Sequence, residues 1–383
     1  MDLFARDAPT DADELRALVA LSLVPGVGPG RIRALLAHFG AASAVMTASR
    51  RALAQVERVG PQTAAAIADF DGEAEVDRQF ERAARVGAEL VPLWDDRYPD
   101  LLRRIYDPPA VLWLRGDLRP EDGRALAIVG TRRASDYGKR VAHHFAFELA
   151  RRGFTIVSGL AYGIDAAAHR GALEAGGRTI AVLGSGVDRI YPAKNAPLAE
   201  RMAAGQGAVL SEFGLGAKPD AVNFPRRNRI VAGMAHGTLV AEARPTGGAL
   251  ITAWMALEQN REVFATPAAL FSSTGEGTNQ LIRKGYATLV TNVDELLAEL
   301  DGQLRPAPPA RAEETPEPAE APAPTDLNGP ERKLYDALTT EPVHLDALCE
   351  RTGLDSSNAL VYLLSLEFRG LVRQLAGKQF FRA

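Results

Sequence analysis

Cysteine is almost missing from this chain: Cys349 is the single one in 383 residues. That excludes an internal disulfide, a cysteine zinc cluster and a CxxC redox pair. No apolar run approaches the roughly 18 residues of a spanning helix, so no membrane partner is expected. The start, MDLFARDAPTDADELR, is acidic and polar rather than a basic stretch followed by an apolar one. It does not read as a secretory signal, and the expected location is the cytoplasm. GxxxxGK[ST] occurs nowhere, and GxGxxG fails because Arg189 stands where the third glycine after Gly184 and Gly186 belongs. Neither ATP nor NAD is supported, so no cofactor is expected. His143, His144, His169 and His236 lack metal-ligand spacing. Ser158 and Ser185 lack the GxSxG elbow. Asp165, Glu212 and Glu242 could be acid/base groups, but the arginines around them explain them as structural partners. Neither a metal site nor a catalytic set emerges.

What is present begins with an ordinary composition, 46% hydrophobic and 24% charged, in a length that suits two or three domains. The net charge of -4 is unevenly spread. Residues 1–123 carry 15 Lys+Arg against 20 Asp+Glu, and 124–300 carry 20 against 15. Residues 301–330 carry 2 against 6, and 331–383 carry 7 against 7. A polyanionic partner is therefore sought in the middle block.

Residues 301–330, rich in Pro, Ala and Glu, bury too little to offset their ordering entropy and read as a disordered linker. Before residue 123 the spacing of Leu15, Leu18, Val19, Ile32, Leu35 and Leu36 predicts amphipathic helices. After it come ALAIVG, FTIVSGLA, RTIAVLG, GAVLSEF, GTLVAEA, REVFATP and YATLVTN, with helices such as 137–151, 164–175 and 248–260 between some of them. Continuous apolar strands separated by helices predict an α/β domain with a doubly wound, mainly parallel sheet over roughly 124–300. Its ligand is expected at the carboxyl ends of the strands. Beyond the linker, helices at 331–340, 343–352 and 355–369 and the hairpin LVRQLAGKQFFRA predict a winged helix over 331–383.

Three strand ends put small residues and free N–H groups at helix starts, where anions are favoured. They are Gly130 to Ser135, Ser158-Gly159 to Asp165, and Gly184-Ser185-Gly186 onward to Lys194-Asn195. Arg132 and Lys194 add charge at two of them, which favours a phosphate-binding rim over glycines that only make tight turns. The densest cationic segment is Lys218 to Arg229, with Phe224 set among Arg226, Arg227, Asn228 and Arg229. Cations that meet phosphates beside a ring that stacks on a base suit single-stranded nucleic acid. Phe224 as a core plug, and arginines paired with Glu212 or Glu242, remain the alternative, and Arg229 fits either reading.

Nearer the start, Gly26-Val27-Gly28-Pro29-Gly30-Arg31 joins two helices as a helix-hairpin-helix unit does, and Val59-Gly60-Pro61 is a degenerate second copy. Gly26, Gly28 and Arg31 admit weak DNA contact or a packing role. In the winged helix, the presumed recognition helix DSSNALVYLLSLEFRG brings no basic residue before Arg369. Asn358, Arg373 and Lys378 give thin support for DNA reading, and protein interaction fits as well.

Those residues resemble one family, the bacterial DNA-processing protein A family (DprA, or Smf). The match runs in order from about 97 to 290 through RYPDLL, DPP, IVGTRRASDYG, IVSGLAYGIDAAAH, VLGSGVDRIYPAKN, LSEF, NFPRRNRIVAG, VAEA, TGGALITA, REVFATP and GTNQLIRKG. The resemblance implies an extended Rossmann-like domain over 86–300, with a helical helix-hairpin-helix/SAM-like domain over 1–85 as a variable accessory. It also implies a non-enzymatic protein that binds single-stranded DNA, forms homodimers through that domain and loads the RecA recombinase during natural transformation. Duplex DNA stays open. Arg132 and Lys194 look like phosphate ligands, and Lys218 and Phe224 sit in the loop that supplies a lysine and an aromatic. The six-residue offset of Lys218 from Phe224 makes its match the loosest. One departure is Ala268 after Pro267, where the family usually has Gly.

Two rival classes remain. The sheet and its glycine loops also resemble Rossmann-like hydrolases of nucleoside monophosphates. Those carry Gly-Gly-x-Gly-Thr before a Glu, which Thr246-Gly247-Gly248-Ala249-Leu250 lacks. A protein-docking scaffold would leave residues 97–300 without DNA binding.

Overall fold

A computed structural model describes residues 12–304, 327–339, 343–369, 371–375 and 379–382. The chain divides into two compact units at Ala307–Pro308. The linker expected over 301–330 falls largely on 305–326, outside the described residues, and the helix Val293–Leu304 runs through its first four positions.

The first unit opens with helices Ala12–Leu23, Pro29–Phe39, Ala42–Thr47, Arg50–Leu53, Pro61–Ala68 and Glu73–Val86. Pro29 and Pro61 start their helices, where a missing N–H costs nothing. Glu14, 3% exposed, accepts hydrogen bonds from the amides of Ala42 and Ser43 and ties the first helix to the third. Leu18, Leu21, Leu35 and Leu53 close the core between these helices.

Nine strands follow: β1 Ala88–Pro92, β2 Val111–Gly116, β3 Ala125–Gly130, β4 Thr155–Ser158, β5 Thr179–Val182, β6 Gly207–Ser211, β7 Gly237–Glu242, β8 Glu262–Ala265 and β9 Thr288–Leu289. Their order is β1-β2-β6-β5-β4-β3-β7-β8-β9. The seven from β3 onward run parallel, each on one of the apolar runs read in the sequence. β1 and β2 form an antiparallel ribbon on the β6 edge, which the sequence pattern had not shown. Chain order reverses between β3 and β7, so the loops after these neighbours diverge and open a crevice there.

Helices cover both faces. Asp136–Arg151 buries Ala142, Phe145, Ala146 and Leu149, a helical stripe, against β3 and β4. Ile164–Glu174 buries alanines and Gly171, where a Cβ would stand 2.3 Å from the His143 carbonyl oxygen. Small residues thus let the two helices approach closely.

The second unit holds helices Gly329–Ala337, Leu345–Thr352 and Ser356–Phe368, with β10 Val343–His344, β11 Val372–Leu375 and β12 Gln379–Arg382 in the order β10-β12-β11. Leu334, Leu348, Leu363, Leu366 and Phe380 form its core. This is a winged helix, with a short strand where the second helix was expected to begin. Arg373 is exposed on β11, and Lys378 lies outside the described residues.

Candidate nucleic-acid interface

A cleft of about 760 Å³ opens at the reversal between β3 and β7. The loops after β3, β4 and β7 and the helix Asn223–Gly233 wall it. Glycines allow the walls to meet. A Cβ on Gly130 would stand 2.7 Å from the Glu242 carbonyl oxygen, and one on Gly163, at φ +77°, 2.3 Å from that of Thr131. The Arg227 guanidinium lies directly over Gly159, where a Cβ would be 2.3 Å from both terminal nitrogens.

Six residues expected to bind DNA meet on this cleft: Gly130, Arg132, Gly159, Phe224, Arg227 and Asn228. Arg132 sits over the Phe224 ring at 4.7 Å, and the ring covers Gly184. Arg227 is 4% exposed and donates to the Val182 carbonyl, while its Nε has no partner among the described residues. Burial pushes its pKa down to about 10, so it stays charged at neutral pH. Asn228 donates to the Gly248 carbonyl at 3.4 Å. Asp165 is the acid of the lining: burial pushes its carboxyl up, while Arg227, the Ala161 and Gly159 amides and Arg132 pull it down.

Other expected residues lie elsewhere, for physical reasons. The Ser158 hydroxyl is buried and donates to the Ile128 carbonyl, so side-chain contact with a strand is closed to it. Ser185 donates to the Arg189 carbonyl and Asn195 to that of Leu160, each inside the fold. In this turn the Gly186 amide is spent on the Ala217 carbonyl. Arg229 is held by Glu212 at 2.5 Å and by Asp107 at 3.4 Å, with its side chain 13% exposed, and is a structural ion-pair partner. Arg226 is exposed, stacks over Phe213 at 5.4 Å and lines a separate pocket with Gly28. Lys194 and Lys218 are exposed outside the cleft lining and, among the described residues, form no ion pair. Gly26 takes φ +81° in the hairpin turn. Arg31 is spent on the Gly26 and Arg58 carbonyls, which makes it a hairpin staple rather than a free cation.

Sequence reasoning missed Arg133, Arg244 and the Gly247-Gly248 turn that opens helix Gly248–Glu258, all on the cleft. Arg133 adjoins Arg132, and applying the strand-end rule to β7 would have reached Arg244. Tyr191, 6.0 Å from Phe224 and 46% exposed, adds an aromatic wall. Four arginines thus face one buried aspartate.

The carboxylates and histidines are otherwise engaged. Glu242 accepts from the Ser135 amide and hydroxyl and from Thr274. His169 is buried against Thr179, and burial holds its pKa near 3, so it is neutral. Among the described residues no group of three or more His, Cys, Asp or Glu is placed to hold a metal ion, and no helix is long and apolar enough to cross a membrane.

Fold and cleft define a Rossmann-like domain with an arginine-lined cleft, between two modules of types common in DNA-binding proteins. Residues 89–301 match the family described as DNA recombination-mediator protein A, 316–378 the DprA winged helix domain and 18–70 a SAM-like helix-hairpin-helix tandem. The chain belongs to this DprA/Smf family of DNA-processing recombination mediators. It is 37% identical to protein Smf of Synechocystis over an alignment of 394 positions, covering 95% of this chain and 98% of that one. It is 43% identical to the DNA processing protein DprA of Bacillus subtilis, over 56% of this chain and 72% of that one. Among solved structures, DprA of Streptococcus pneumoniae superposes with a TM-score of 0.65 at 34% identity, over 75% of this chain and 97% of that chain. The Helicobacter pylori protein, whose structure addresses its single-stranded DNA binding mode, gives 0.51 at 30%, over 56% and 96%.

Proposed function

We propose that the cleft holds single-stranded DNA, mainly through its phosphates, and that the protein protects the strand and hands it to the RecA recombinase during natural transformation. One observation carries the reading. Arg227 is a buried cation that forms no ion pair among the described residues and, of the carboxylates, feels only the nearby Asp165, at the floor of a cleft rimmed by Arg132, Arg133 and Arg244. An interior charge of this kind is stabilised by an anion that enters the cleft. Phe224 and Tyr191 supply faces on which bases stack. Lys194, Lys218 and Arg226 extend the positive surface beyond the cleft.

The chemistry proposed is binding and handover, with no bond broken, in line with the carboxylates at the cleft, Asp165 and Glu242, being engaged by hydrogen bonds. Homodimerisation through the α/β domain is part of the reading. Trp254, Tyr286 and Leu289, 42%, 40% and 44% exposed, together with the fully exposed Phe271, offer apolar surface toward the β9 end of the sheet. Domain limits of 1–85, 86–300, 301–330 and 331–383, and a cytoplasmic setting, complete it.

The test is anisotropy of a labelled single-stranded oligonucleotide against the full chain across a salt series. RecA filament formation on coated strands is followed in parallel, and nucleoside monophosphates are assayed for free base. Salt-dependent binding with faster filament formation is expected. Release of free base without strand binding would replace this reading by a nucleotide hydrolase.

A further inference from the structure

We propose that a second, smaller pocket beside the cleft takes one base of the bound strand and selects bases that carry an exocyclic amine. The pocket, about 250 Å³, lies between the hairpin of the helical domain and the carboxyl end of β6. Gly28 and Pro29 face it from the hairpin, and Glu212, Phe213 and Arg226 from the sheet side. It is smaller than the roughly 300–1,000 Å³ of sites that take drug-sized ligands, and suits a single ring system.

Its chemistry centres on Glu212, whose side chain is 5% exposed. One carboxylate oxygen accepts from Arg229 at 2.5 Å, while Oε1 has no hydrogen-bond partner among the described residues. A buried acceptor left open carries a desolvation cost that a donor entering the pocket relieves. The charges around it balance: Arg226 and Arg229 stand against Glu212 and Asp107. The neighbouring cleft instead sets four arginines against one aspartate. A phosphate is drawn to the cleft, and a neutral group with an N–H donor to the pocket.

Continuity links the two sites. Pro225 and Arg227 line the cleft, and Arg226 between them lines the pocket. A strand leaving the cleft over this turn therefore brings its next base to the pocket mouth. The Arg226 guanidinium there is a planar cation suited to stacking. Cytosine and adenine present an amino donor at the positions where thymine presents a carbonyl acceptor, which the Glu212 carboxylate repels. The binding site so described rests on the strand-binding reading of the cleft and adds base preference to it.

The experiment uses the full chain above neutral pH with cytosine and thymine homopolymers of equal length, in wild type, Glu212→Gln and Gly28→Val. Gly28 has φ -98° and nothing within 4 Å of an added Cβ. Valine there narrows the pocket mouth and leaves the Glu212–Arg229 pair intact. The ratio of cytosine to thymine affinity, compared between proteins, cancels the intrinsic differences between the two polymers. We expect that ratio to fall at least about tenfold in both variants, the size of one charge-assisted hydrogen bond of about 1.5 kcal/mol. An unchanged ratio in both variants overturns the base site and leaves the cleft reading standing. Absence of binding to either polymer overturns the cleft reading, and the base site falls with it.

Discussion

Replacing Arg132 by alanine separates the cleft from a merely basic surface. The side chain is exposed, its guanidinium lies over the Phe224 ring and, among the described residues, it forms no ion pair. Its loss should cost stability only the cation–π contact, about 0.5–1 kcal/mol, or roughly 2 °C in a unit of this size. Binding is affected more. Each phosphate contact on a single strand contributes about 0.7 to the slope of log affinity against log salt. With Arg132, Arg133, Arg227 and Arg244 each meeting one phosphate, the slope is about -2.8. Raising salt fourfold then weakens wild type about 50-fold and Arg132→Ala about 18-fold. Anisotropy titrations over that salt range measure both slopes, and melting curves check the fold. Arg229→Met is the control. It leaves the Glu212 carboxylate buried and unpaired, costs about 3–5 kcal/mol of stability and should leave the slope alone. A slope unchanged in Arg132→Ala but flattened in Arg229→Met would refute the assignment.

Further outcomes follow from the same geometry. Phe224→Ala should weaken strand binding by about 1–3 kcal/mol with the salt slope barely altered, because stacking releases no counterions. A loss that tracks salt would mean the ring only props Arg132. His169 has a folded pKa near 3 against 6.5 as its ordinary value, so below pH 6.5 the unfolded chain binds a proton the native one refuses. Stability should therefore drop as pH falls, by about 1.5–2 kcal/mol between pH 6.5 and 5, and denaturant melts of His169→Gln should show a shallower decline. Equal pH profiles for the two proteins would show that His169 protonates in the fold. Gly163→Ala combines a left-handed backbone, φ +77°, with a Cβ 2.3 Å from the Thr131 carbonyl oxygen. It should cost more stability in denaturant melts than the ~1 kcal/mol of left-handed strain alone. A smaller effect would show that the β3 and β4 loops yield.

The parallel strands were legible because each is a short apolar run ended by Gly, Ser or a polar turn residue, as IVG at β3 and IVSG at β4 are. The β1–β2 ribbon was not. Its residues follow an Ala/Leu/Arg-rich helical stretch, and its pairing joins segments about twenty residues apart with a helical turn between them. The site was half legible. Residue types at the strand ends pointed to anions, but Arg226, Arg227 and Arg229 look alike in the sequence. Helical rotation sends the first outward, the second against Gly159 and the third to Glu212. Ser158 and Asn195 illustrate the converse, polar residues whose hydrogen bonds turn out to hold the loops in place.

The docking of the helical domain has a mechanical consequence for the strand site. Gln79 donates to the Leu215 carbonyl at 3.1 Å and accepts from its amide at 2.6 Å, and Arg82 donates a second bond to that carbonyl. Asp188 secures the Gly216 amide from the opposite side. The loop is therefore clamped immediately before Lys218 and captured again at Asn223, where the helix begins. Only a short span is left to swing, and the lysine's reach is set by where Gln79 pins its base. On the proposed reading, a net-acidic accessory domain would serve strand capture by positioning a cationic loop, through leverage rather than through charge.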